Sequence, residues 1–273
     1  VFYEKLPGLS EKVTESLDLM DVEKEAVVKL KKIEFSEPGN NPRRHTKDAK
    51  FIECLFSHAN IVERNFSGCK FENCIFNGAE IFRCEFHQCS FKNCVLYKTR
   101  ISDTYLDPKS FYFSASWYRH WANVNAWWFQ SLHRNSMDIH QKDFAMHADR
   151  RFRFYRRYEE LLGKKKRPLK FLLGLGYDLV LGYGYGITNC LVVTIGLILL
   201  FAYLMAGYTN LPVGAGGIEH IYYSIVSFTT VGYGEVIPEQ KHPVALVMTS
   251  VFLFLSVVWT AIVSAVVVKR VVN

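Results

Sequence analysis

Six consecutive residues, Thr229-Thr230-Val231-Gly232-Tyr233-Gly234, combine types whose backbone can bind a cation. Two glycines bracket a tyrosine, and two hydroxyl residues lead in. Alternating left- and right-handed backbone turns successive carbonyls to the same side of a chain, and only glycine takes positive φ cheaply. Such a segment presents a ladder of carbonyl oxygens. Four copies around one axis can replace the water shell of a dehydrated potassium ion. On that reading Thr230, Val231, Gly232 and Tyr233 supply the carbonyls, the Thr230 hydroxyl lies below them, and Gly234 ends the string. The string alone also fits a glycine-rich turn in a soluble loop.

The flanks decide between the two. Residues 187–206 are an uncharged apolar run, and residues 244–268 are another. Each is long enough to cross a hydrocarbon core of roughly 30 Å. Residues 218–228, just before the string, are apolar and aromatic but too short to span, so they must re-enter. Irregular backbone at membrane depth is tolerated only inside protein or around a water-filled pore. Span, half-span, glycine ladder, span: over residues 187–270 this order resembles the two-transmembrane potassium channel family. The resemblance implies a tetrameric, all-α membrane pore with a re-entrant pore helix, potassium ions as the only bound metal, and no other cofactor. It also implies support for the filter by Thr229, by Tyr222 and Tyr223 at the positions of an aromatic cuff, and by Glu235 where the family usually has Asp. The inner span departs from the family because it lacks a mid-helix glycine. Opening is then expected by bending near Ser256, Thr260 or Ser264, or by rigid tilting. Leu255, Val258, Ile262 and Val266 lie three or four apart and are expected to face the axis, where apolar rings can gate by dewetting.

Charge sets the orientation. Lys164, Lys165, Lys166, Arg167 and Lys170 precede the membrane part, and Lys269 and Arg270 follow it, while the loop at 207–217 has neither Lys nor Arg. Positive residues mark the cytoplasmic side and attract anionic headgroups. Both termini are therefore expected in the cytoplasm of a multi-pass cell-membrane protein. The first residues lack the layout of a signal peptide. Residues 169–181 read as an interfacial helix, and Gly182-Tyr183-Gly184-Tyr185-Gly186 as a flexible elbow, since no threonine pair or half-span precedes that second glycine string.

The polar part of the chain carries a repeat. From Phe51 to Phe111 a large apolar residue recurs at every fifth position, and a small residue, often Cys, stands two before most of them. A short fixed period means stacked units whose core exists only between neighbours. The block resembles the pentapeptide-repeat family, which implies a right-handed quadrilateral β-helix. About a dozen units give three coils, roughly 15 Å tall. Arg64 breaks the small column and is expected at a bulge or corner. Six of the seven cysteines fall in that column. Zinc sites usually use closer pairs, so a core role is the better reading. Lys/Arg and Asp/Glu are nearly balanced in the block, which argues against nucleic-acid mimicry, and no nucleic-acid partner is expected.

The remaining segments are simpler. Residues 1–47 are expected to hold a charged helix, with Val13, Leu17, Met20, Val27 and Leu30 on one face, and a linker. Within 112–167, Trp117, Trp121, Trp128, Phe129 and Leu132 are expected to cap the solenoid as one helical face. His133, His140 and His147 recur every seven residues, roughly on one helical face, and read as a polar packing face rather than as metal ligands or a pH sensor. Arg150, Arg153 and Arg156 recur every third residue, but neighbouring acids and the lack of further spans speak against a voltage sensor. The expected organisation is 1–47, a solenoid at 48–111, a helical connector at 112–167, an interfacial helix and elbow at 168–186, and the pore at 187–273. A net charge of +7 and 49% hydrophobic content fit such a mixed chain. No nucleophile–base pair or phosphate loop suggests an enzyme. The function implied is passive, potassium-selective conduction by a homotetramer, with no gating ligand named. A membrane-tethered scaffold with a silent pore and a non-selective cation channel are the alternatives.

Overall fold

The computed structural model describes residues 15–17, 29–31, 33–35, 45–163, 166–211 and 216–272. The chain divides into two compact units, Val1–Leu172 and Leu173–Asn273, each described by itself.

The first unit is built on a four-sided β-solenoid. Twenty residues make one coil, so each strand pairs in parallel with the strand 20 residues on. One side stacks β4 (His45–Lys47), β7 (Asn65–Ser67), β10 (Glu85–His87) and β13 (Tyr105–Leu106). The next stacks β5 (Lys50–Ile52), β8 (Lys70–Glu72), β11 (Ser90–Lys92) and β14 (Phe111–Tyr112). A third stacks β6 (Asn60–Val62), β9 (Glu80–Phe82) and β12 (Arg100–Ser102). The fourth is held by single bridges from Leu55 to Ile75 and from Ile75 to Val95.

Corners set the period. Every fifth residue from Asp48 (φ 52°) to Asp103 (φ 48°) has positive φ, with Gly68 and Gly78 among them. An L-residue pays about 1–2 kcal/mol in that conformation, which the inter-coil ladder offsets. At Gly68 an added Cβ would meet the Asp48 carboxylate, which would have to turn aside.

Inside, the large residues stack in columns. Phe51, Phe71, Phe91 and Phe111 have ring centroids 4.8, 4.7 and 4.7 Å apart in succession. The small column has its own ladder. The thiols of Cys69, Cys74, Cys84, Cys89 and Cys94 each donate to the carbonyl 23 residues earlier, at 3.2–3.5 Å. Thr99 makes the same bond to Phe76 O at 2.6 Å. Cysteine therefore serves here as a small core residue that also donates. Burial pushes the Cys84 thiol up to about 11 and raises that of Cys74 well above its usual value. Arg64 is buried in this column without a bulge: β7 keeps register, and Glu85 N donates to Arg64 O at 2.8 Å.

At the described residues of the N-terminal segment the structure shows strands and not the expected helix. Leu17 lies in β1 (Glu15–Leu17) and Leu30 in β2 (Lys29–Lys31), while β3 (Ile33–Phe35) pairs with β1. Leu30 sits in register with Phe51, because the free edge of β5 offers parallel pairing that outweighs a weak helical pattern. Val13, Met20 and Val27 lie outside the described residues.

Three helices follow: α1 (Ser116–His120), α2 (Ala122–Asp138) and α3 (Lys142–Leu162). Trp128, Phe129 and Leu132 join the solenoid core, with Trp128 and Phe129 edge-on to Phe111 at 5.5 and 6.0 Å. Trp117 and Trp121 do not belong to that cap. They pack laterally over Ile75 and Val95 on the bridge side. Asn135 finishes the open edge: Thr104 N donates to its Oδ1 at 3.0 Å, and its Nδ2 donates to Thr104 O at 2.7 Å. The side-chain amide thus takes the place of a next strand. The three histidines do not share one helical face. His140 is in the α2–α3 turn at φ 57°, and His133 bonds Ala145 O at 2.9 Å. Arg153 pairs with Asp149 and Arg156 with Glu159 along α3.

Helix α4 (Pro168–Leu181) exposes Leu169, Leu172, Leu173 and Leu179. In the second unit α5 (Ile187–Leu204) and α7 (Pro243–Val272) flank α6 (Gly217–Phe228). Residues Ile187–Leu204 and Pro243–Arg270 are long and apolar enough to cross a membrane. Helix α6, with 12 residues, reaches only roughly 18 Å. Stacking of Phe201 on Phe252 at 3.8 Å and a bond from Trp259 Nε1 to Thr194 Oγ1 at 2.8 Å tie α5 to α7.

Candidate ion-conduction site

The glycine string begins where α6 stops. Thr229 is the cap: its N–H and its hydroxyl both reach Ile225 O at 2.9 Å. Two more amides hold the first turn of the string, Thr230 N to Ser227 O at 3.1 Å and Val231 N to Val226 O at 3.2 Å. From there φ is positive at alternate residues: Thr230 at 55°, Gly232 at 60° and Gly234 at 82°. Handedness therefore alternates along the string. Glycine supplies it at two positions, but Thr230, a β-branched residue, is held in a region it rarely visits. Val231 and Tyr233 are exposed in the single chain. The partial negative charge at the C-terminus of α6 points toward the start of the string, where it favours a cation. Glu219 in the first turn suits the opposite end.

A hydrogen-bonded frame braces the end of the string. Tyr222 OH donates to Glu235 Oε2 at 3.0 Å. Asn210 N donates to Ile237 O at 3.0 Å, Ile237 N returns to Asn210 Oδ1 at 2.9 Å, and Asn210 Nδ2 reaches Glu235 O at 3.3 Å. Glu239 N adds a bond to Tyr208 O at 2.8 Å. The loop after α5 is thereby paired with the loop after the string. Sequence reasoning missed Asn210; its signal was one amide side chain in a loop free of basic residues.

Tyr222 and Tyr223 part company. Tyr223 is buried, 5.8 Å from the Phe201 ring, with its hydroxyl 3.2 Å from Thr249 Oγ1. It anchors α6 to both long helices, while only Tyr222 touches Glu235. Behind the string lies a cavity of about 560 Å³ bounded by Tyr223, Thr230, Gly232, Gly234, Val236 and Leu253 among others.

Along α7 the proposed axial residues split. Leu255 and Val258 are exposed in the chain and Ile262 is half-buried, but Val266 is only 5% exposed. Residues Phe252, Ser256 and Val266 mark the buried stripe of α7, and Val266 falls where that stripe and the open face meet. Ser256, Thr260 and Ser264 each bond a carbonyl one turn back at 2.8 Å, and α7 is one continuous helix.

The second glycine string turns the chain between α4 and α5 through a short 3-10 turn. Gly182, Tyr183 and Gly184 all have positive φ, and Tyr183 is buried. Asn189 Nδ2 donates to Asp178 O and Leu179 O at 3.2 and 2.9 Å, closing the end of α4. Lys269 Nζ sits 3.9 Å from the centre of the Tyr185 ring.

Comparison with known proteins assigns the two parts separately. Residues 190–273 match a family model described as ion channel, and residues 49–88 and 65–96 match pentapeptide repeats in 8 copies. No curated protein matches the chain. A trypsin-treated QnrB1, a plasmid-mediated fluoroquinolone resistance protein, is similar at 16% identity and TM-score 0.14, covering 30% of this chain and 55% of its own. The pentapeptide repeat protein Rfr23 from the cyanobacterium Cyanothece 51142 is similar at 16% identity and TM-score 0.12, covering 32% of this chain and 65% of its own. The chain thus spans less than two thirds of either relative's length. Two families meet in this one protein: residues 49–96 are a pentapeptide-repeat segment and residues 190–273 a segment of the ion channel family.

Proposed function

We propose that the chain is one subunit of a homotetrameric, potassium-selective channel of the cell membrane, with both termini in the cytoplasm. The observation that carries this is the alternation of positive φ at Thr230, Gly232 and Gly234 directly after a half-length helix set between two apolar helices. With four copies around an axis, the carbonyls of Thr230, Val231, Gly232 and Tyr233 replace the ion's water shell, and neighbouring ions push one another onward. Potassium is the substrate and no other cofactor takes part, so the protein is a conductor and not an enzyme. Tyr222, Glu235 and Asn210 hold the mouth in shape. Leu255, Val258 and Ile262 line the inner path, with Val266 brought to it only if α7 rotates. Lys166, Arg167 and Lys170 lie against anionic headgroups, and the apolar residues of α4 enter the interface; Lys164 and Lys165 lie outside the described residues. The solenoid assembles or gates the pore.

Reconstitution into liposomes tests this reading. Flux down a potassium gradient, absent in a sodium gradient and lost in Gly232→Asp or Tyr233→Ala, is the expected result. Equal sodium flux makes the pore non-selective. Absence of flux under both gradients favours a scaffold with a silent pore.

A further inference from the structure

Charge on the solenoid is unevenly placed. On the side formed by β5, β8, β11 and β14, two outward columns run up the coils, and β2 continues both by backbone register. One column reads Lys29, Lys50, Lys70, Ser90; the other reads Lys31, Ile52, Glu72, Lys92, Tyr112. Lys50, Lys70 and Lys92 stand against one glutamate, Glu72, while Lys29 and Lys31 join only by backbone register. The side formed by β6, β9 and β12 is balanced instead, with Arg100 on Glu80 at 2.9 Å. On the side of β4, β7, β10 and β13, Glu85 meets His87 and Asn65. The fourth side is covered by Trp117.

Like charges in register at strand spacing repel. Lys50 is relieved by Glu72 at 3.1 Å, but Lys70 and Lys92 are exposed and make no ion pair among the described residues. Tyr112, next to Lys92 in its column, is 58% exposed. A flat cationic grid with an exposed tyrosine at one end matches a phosphate-bearing surface, where ammonium groups meet headgroups and an amphipathic ring sits between water and acyl chain.

We propose that this lysine-bearing side docks on an anionic lipid surface, through Lys50, Lys70 and Lys92 with Tyr112 at headgroup level. This rests on the membrane-anchored part of the reading above, which keeps a leaflet within reach of the tethered solenoid. It does not depend on ion selectivity.

The test uses the full chain in nanodiscs of phosphatidylcholine alone or mixed with phosphatidylglycerol, with amine acetylation at each lysine read by mass spectrometry. In anionic discs the labelling of Lys50, Lys70 and Lys92 should fall about threefold or more and recover in about 1 M salt, where screening is short-ranged. Lys98, at the corner beyond the bridge side, should label equally in both discs. The double variant Lys70→Glu with Lys92→Glu should restore labelling of Lys50 in anionic discs without changing insertion. Equal labelling of all lysines in both discs overturns the proposal. So does protection in neutral discs, which assigns the side to another copy of the chain, or protection that appears only with added polyglutamate, which assigns it to an acidic protein. Failure to insert in either disc sinks the membrane-anchored reading and this docking with it, whereas insertion without protection sinks the docking alone.

Discussion

Gly232 carries a positive φ of 60°, and nothing lies within 4 Å of the place where a Cβ would sit. Within one chain the cost of Gly232→Ala is therefore conformational, about 1–2 kcal/mol for an L-residue in the left-handed region. Potassium flux should drop while membrane insertion is kept; unchanged flux and selectivity would mean that this ladder is not the conduction path. The cysteines act at the same scale. Cys84 is held at about 11 chiefly by burial, against an ordinary 9.0. A raised value means the unfolded thiol ionises first, so the contribution is complete below pH 9 and is lost as pH rises toward 11. The unfolding midpoint of the solenoid should fall across that window, and Cys84→Thr, which keeps a small donor as at Thr99, should flatten the fall. A midpoint that ignores pH in the parent protein would refute the buried-thiol ladder.

Elements end where something takes over their hydrogen bonds. Asn135 does this for the solenoid, and both of its bonds go to the fully buried Thr104. Asn135→Leu strands one donor and one acceptor, at about 1–3 kcal/mol each. The thermal midpoint should drop and the Thr104 amide should exchange faster with deuterium. Unchanged exchange there would show the cap to be redundant. In the second unit the Trp259–Thr194 bond joins two apolar helices with few other polar links. Trp259→Phe should cost about 0.6–2 kcal/mol, read as a lower midpoint of denaturation in detergent.

At the scale of the whole molecule, two compact units predict two separable responses. Asn135→Leu should weaken the first unit and leave potassium-over-sodium selectivity intact, while Gly232→Ala should do the reverse. Calorimetry and flux on the same preparations check both. If Asn135→Leu abolishes selectivity, the string depends on the solenoid for its shape and the two units are energetically one.

The period of five, the two span-length apolar helices and the glycine string were legible because each is a local pattern repeated or sustained in neighbouring residues. A phenylalanine every fifth place can only stack, and a charge-free run of 25 residues can only be buried or in lipid. Other features depend on partners far along the chain. Leu30 became a strand residue because β5 had a free edge 21 residues away. Trp117 went to the bridge side, not the cap, because Ile75 and Val95 left apolar surface there. Asn210 found Glu235 and Ile237 across α6, and Val266 turned onto the buried stripe of α7. Sequence alone determined which segments repeat, which span and where the backbone can turn left-handed. Tertiary structure decided which edges are covered and which side chains face inward, because edge pairing and burial are settled between segments that no local pattern connects.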